Sequence, residues 1–147
     1  MTRKVLAFGA IAALAATACT FPPEGGAANP CGNGVCKLDV TVTAAGCADP
    51  ANITVTPDPL PVPKGNPNKL EWTIQTSGYT WVPAPNGITG LPDPPFSNPH
   101  DSGSGKKYDI HDANPESSAT NYKYAVHLKD PAGNPCAVKD PVIKNGA

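Results

Sequence analysis

The sequence predicts an all-β chain, a single antiparallel Greek-key β-sandwich of about seven or eight short strands. Three observations predict it. Apolar residues recur with a period of two in one segment after another, as in strands buried on one side only. The chain holds 19 prolines in 147 residues, which excludes long helices because each interior proline costs a helix roughly 3 kcal/mol. Turn-forming clusters, GCADPAN, PKGNPN, PAPNG, DANPES and DPAGN, separate the alternating segments.

In chain order, KLDVTVT sets Leu38, Val40 and Val42 on one face, with charged and hydroxyl residues opposite. NITVT does the same with Ile53 and Val55, and LPV with Leu60 and Val62. Pro57, Pro59, Pro61 and Pro63 interrupt this region. Proline cannot donate to a ladder, so the segment is expected at a sheet edge or as a strand that changes sheets. KLEWTIQT gives Leu70, Trp72 and Ile74, and YTWV gives Tyr79 and Trp81. KYDIHD supplies Tyr108 and Ile110, and NYKYAVHLK supplies Tyr122, Tyr124, Val126 and Leu128. AVKDPVIKN closes the series with Val138 and then Val142 or Ile143.

The N-terminus carries an address. Arg3 and Lys4 precede the uncharged run VLAFGAIAALAATA, which is shorter than the roughly 20 apolar residues a bilayer span needs. A basic start, a short apolar run and small residues at its end predict a signal peptide over residues 1–18. Ala16-Thr17-Ala18 fits ordinary signal peptidase, which would release a soluble protein beginning at Cys19. The same ATAC stretch resembles the bacterial lipobox, departing from it at Ala16, where Leu is usual. That resemblance implies an acylated Cys19, and Thr20 after it implies the outer membrane. Parity favours the lipid: of five cysteines, assigning Cys19 to an acyl chain leaves four to pair in an oxidising compartment. Residues 19–35 then read as the anchor cysteine and a Pro/Gly-rich tether, and residues 36–147 as the β domain.

Beyond residue 18 the chain has nine Lys, no Arg, and 12 Asp plus Glu. Nucleic-acid and phosphate sites rely on Arg forks and basic faces, so a nucleic-acid partner is excluded from the reading.

ITVTPDPLPVPKGNPNKLEWTI resembles the opening strands of bacterial Ig-like and cupredoxin-like sandwiches, and NYKYAVHLKDPAGNPC resembles the penultimate strand and hairpin of Ig-like modules. An exported bacterial lipoprotein with such a domain is the family type the chain looks like. The resemblance raises copper as a cofactor, and a periplasmic metal- or redox-handling protein is the alternative function. A blue-copper site needs two His, a Cys and usually a weak axial Met. Cys136 is followed by AVKDPVIKNGA, without His, and the only Met is Met1. No cofactor is therefore expected. Alternation turns His111 and His127 toward solvent, and His100 falls in a loop, so no zinc set of three or four converging ligands is expected either. NPHDSGSGKKYD lacks the alternating acids and closing Glu of an EF-hand and reads as a hairpin tip. No Gly-x-Ser-x-Gly elbow is present.

For Cys31, Cys36, Cys47 and Cys136, the favoured pairing is Cys31–Cys36 with Cys47–Cys136. CGNGVC contains the turn residues for a tight loop, and the second bridge would tie the end of the first strand to the start of the last. A Cys36–Cys136 bridge is the rival if those strands run parallel. The expected function is a non-enzymatic binding or structural module of the bacterial cell envelope. It would be lipid-anchored at the outer membrane, or periplasmic or secreted, and would meet the membrane only through its anchor. Its partner would be a protein or another envelope component. The Pro- and Gly-rich connection from Val82 to Lys107 is the expected contact region, with Tyr79, Trp81 and Phe96 as apolar anchors.

Overall fold

A computed structural model describes residues 30–64, 68–115 and 118–146. The expected signal peptide, Cys19 and the tether as far as residue 29 lie outside the described residues. The first described pairing has a local cause. β1 (Cys31–Gly32) and β2 (Val35–Val42) form a hairpin around Asn33 and Gly34. Both turn residues have positive φ, 53° and 74°, as a two-residue type I′ turn requires and as Asn-Gly adopts most readily. The hairpin sets Cys31 opposite Cys36, and the two form a disulfide. Thus pairing begins ahead of residue 36, the expected start of the domain.

Along β2, Cys36, Leu38, Val40 and Val42 are buried while Lys37, Asp39 and Thr41 face out. A single 3-10 turn, Pro50–Asn52, follows, capped by the Asp49 carboxylate accepting from the Ala51 amide at 2.8 Å. β3 (Ile53–Thr56) then pairs antiparallel with β2. Three residues later β4 (Leu60–Val62) has left that sheet and pairs with β13 (Val142–Asn145). The Pro57–Pro63 segment therefore changes sheets, as its prolines predict.

β5 (Asn68–Ile74) lies beside β2, followed by β9 (Lys107–Asp112) and then β8 (Phe96–Asp101) at the edge of this larger sheet. The other pairings gather on residues 120–129. There β10 (Thr120–Lys123) pairs with β13, β11 (Ala125–Val126) with β7 (Ile88–Thr89), and β12 (Leu128–Lys129) with β6 (Thr80–Trp81).

Three expectations are corrected. The strands are not all antiparallel: β2 runs parallel to β5, and β4 to β13. The excursion through β3 and β4 supplies the long connection that parallel neighbours need, and alternation carries no record of direction. Val138 is not in a strand but 44% exposed, with Ile143 as the inward residue of β13. The Val82–Lys107 connection is not a plain loop, because it contains β7 and β8.

Aromatic pairs join the larger sheet to the residues packed over it. The Trp72 indole N–H donates to the Tyr124 hydroxyl at 2.9 Å, with ring centroids 5.6 Å apart. Trp81 meets Tyr108 at 5.3 Å and Phe96 meets Tyr122 at 5.0 Å. Burial pushes the Tyr124 pKa well above the usual phenol value, despite the indole hydrogen bond, so its hydroxyl is held neutral. The second disulfide, Cys47–Cys136, closes 89 residues with Cα atoms 5.1 Å apart, and the Cys36–Cys136 rival is excluded. Cys136 does not begin the last strand. It sits where its amide donates to Leu128 O, and the next amide, Ala137, donates to Cys47 O.

Candidate functional site

The segment between β6 and β9 is shaped by what it must avoid. Gly87 is buried against the Tyr108 ring, and a Cβ there would lie 2.6 Å from Val82 O as well as overlapping that ring. Only glycine lets the chain pass. The Gly87 carbonyl accepts from the His127 amide at 2.9 Å, and the Val82 amide donates to His127 O at 3.1 Å, so the segment is stitched to residues 120–129 before β7 begins. Gly87→Ala is expected to destabilise the fold by about 1–3 kcal/mol through overpacking, measured as a lower urea midpoint at unchanged m-value.

Further along, Phe96 turns into the core, and β8 pairs with β9 through Ser97↔His111 and then His100↔Asp109. Asn98 and Pro99 are thereby pushed out opposite Ile110, a bulge with Asn98 at φ 54°. Bulges at sheet edges re-aim side chains, and this one helps to form a cleft of about 330 Å³. Its apolar walls are Pro85, Ile88, Leu91, Phe96, Pro99 and Ile110, and its polar groups are Thr89, Asp93, Ser97 and Asn98. Apart from Ile110, every one of these residues comes from the Val82–Lys107 region. The size lies at the lower end of small-ligand pockets, roughly 300–1,000 Å³.

Of the three expected anchors, only Phe96 lines this cleft. It is 3% exposed, so its main task is packing. Trp81 is also 3% exposed, its indole N–H donating to Lys106 O at 3.2 Å. Tyr79 is half-buried away from the cleft, its carbonyl accepting from Lys106 Nζ at 2.7 Å. Apart from Phe96 and Ile110, the cleft residues, Leu91 and Asp93 among them, are not singled out by any periodicity in the sequence.

The histidines are separate. His111 is exposed on β9, His100 Nδ1 lies 3.9 Å from the Asp109 carboxylate, and His127 Nε2 lies 2.9 Å from the Thr89 hydroxyl. Among the described residues no three His, Cys, Asp or Glu side chains gather as a metal-binding group. The Thr89–His127 contact unites a hydroxyl and an imidazole beside the cleft.

Two other polar clusters have structural roles. On the outer face of the larger sheet Glu71 and Asp109 stand directly opposite each other. Lys69 bridges them at 3.3 Å to each, and Lys107 reaches Glu71 at 3.0 Å. The Lys107 and Lys69 ammonium groups hold the Glu71 carboxyl below its usual pKa against the opposing effect of burial. The second cluster is interior. Asp112 is fully buried, accepting from the Asn114 amide at 2.9 Å and from Asn145 Nδ2 at 3.1 Å, while Asn114 Nδ2 donates to Pro63 O. Period two from Tyr108 and Ile110 is consistent with the inward Asp112, and its contact with Asn145 joins β9 to β13.

No protein-family model and no curated protein matches the chain. Among the described residues no helix is long and apolar enough to cross a membrane.

Proposed function

We propose that this chain is a non-enzymatic binding module of the bacterial cell envelope, built as an Ig-like or cupredoxin-like Greek-key β-sandwich and held at the outer membrane by acylated Cys19. The observation that carries the binding role is the cleft of about 330 Å³ formed almost wholly by one Pro- and Gly-rich segment. Ligand sites are concave and mostly apolar, with a few placed polar groups, and this cleft has that composition. The sandwich reading is supported by β3 and β4, which enter different sheets within one stretch of chain, as strands do at the corners of packed sheets. Against the electron-transfer alternative, the Cys136 sulfur is bonded to Cys47 and is not available as a copper thiolate.

Two experiments test the two halves of the proposal. Cells fed a fatty-acid analogue should label the wild type and not Cys19→Ala, and unlabelled wild-type protein found wholly in the soluble fraction would overturn the anchor. A photo-crosslinking residue placed at Leu91 in intact cells should give a discrete adduct, while one at Thr41, on the outer face of β2, should not. Equal adducts at both positions, or none at Leu91, would overturn the cleft as the contact site.

A further inference from the structure

Given the reading of this cleft as the binding site, we infer that it takes a small organic cation, an ammonium group on an aromatic or branched aliphatic body. Ile88, Leu91, Phe96 and Ile110 supply the apolar surface for the body. Asp93 supplies the sign. It is the one charged residue among the described lining residues, and among the described residues it makes no ion pair. The His127 imidazole is engaged with the Thr89 hydroxyl at 2.9 Å.

A carboxylate ligand would meet Asp93 with no lysine, arginine or histidine in the lining to offset the repulsion. A neutral apolar ligand would crowd Asp93 and reduce its hydration without compensating its charge. An ammonium group is attracted to it, and Thr89, Ser97 and Asn98 offer oxygen atoms for its other hydrogens. The volume suits one ring with a short chain, so the occupant is a small molecule and not a length of peptide strand. Asp93 is exposed, so the charge preference is modest. By analogy with exposed ion pairs it is about three- to five-fold for the cation over a neutral isostere, with the anion more than about ten-fold weaker than the cation.

The test titrates the full ¹⁵N-labelled mature chain with 2-phenylethylammonium, 2-phenylethanol and phenylacetate, following the amides of Thr89, Leu91 and Ser97 against that of Thr41. The ammonium ion should shift the three cleft amides most strongly and bind best. Asp93→Asn, at an exposed position that should leave the fold intact, should bring the ammonium and alcohol affinities together. Equal binding of ammonium and alcohol to the wild type would overturn the cation preference while leaving the cleft a binding site. If no probe shifts the cleft amides, the small-cation assignment falls, and the Leu91 crosslink then decides separately whether the cleft contacts a partner.

Discussion

Replacing both Cys47 and Cys136 with alanine is expected to lower the free energy of unfolding by about 4.6 kcal/mol in the chain-entropy model. The bridge closes 89 residues, a span that includes every strand from β3 to β12, so its loss releases most of the chain in the unfolded state. The Cys31–Cys36 bridge closes a separation of only 5, and the same model gives it about 2 kcal/mol. Domains of this kind are commonly stable by about 5–15 kcal/mol, so the long bridge separates a robust fold from a marginal one. Urea unfolding of the oxidised wild type and of the double variant measures the difference. A loss below about 1 kcal/mol would mean that native strain or unfolded-state structure cancels the loop term.

Trp72→Ala is expected to cost about 3–5 kcal/mol, the range for removing a large buried aromatic side chain. Trp72 is fully buried in β5, and its ring edge meets Tyr124 across the interior. Tyr124→Phe keeps nearly all that packing but leaves the Trp72 N–H without its acceptor, which costs about 1–3 kcal/mol. The two residues touch, so their effects should not add. A double-mutant cycle with Trp72→Phe and Tyr124→Phe should show a coupling of about 0.5–3 kcal/mol. Additive losses would mean that the 2.9 Å contact contributes nothing beyond the area each ring buries.

Period two was a reliable guide wherever a strand buries one whole face. Leu38, Val40, Val42, Ile53, Val55, Leu60, Val62, Leu70, Trp72 and Ile74 are all buried, as KLDVTVT, NITVT, LPV and KLEWTIQT require. The signal weakens at edges. β8 has only Phe96 fully buried, and its outer positions carry Asn98 and Pro99, so FSNPHD has no alternation to read. Proline there argues against a central strand and is compatible with an edge bulge, which is where Pro99 lies. Strand direction was hidden for a different reason. Whether β5 joins β2 parallel or antiparallel depends on where the intervening chain returns, and that is decided by contacts distant in sequence. The segment that walls the cleft was legible as a Pro- and Gly-rich connection. Its polar composition was not, because Asn98 gains meaning only when the β8 bulge sets it opposite Ile110, and Asp93 only when the folded segment makes it line the same cleft.

The segment that walls the cleft also holds up the core, and this limits how the protein can diverge. Gly87, Ile88 and Phe96 are buried, so a change at any of them weakens the fold whatever it does for a ligand. Leu91, Asp93 and Asn98 are half-buried or exposed and border the same space. Drift in specificity should therefore pass through these three positions, with glycine, isoleucine and phenylalanine held fixed between them. A lineage that acquired lysine in place of Asp93 would have moved from cations to anions in one step, with its scaffold unchanged.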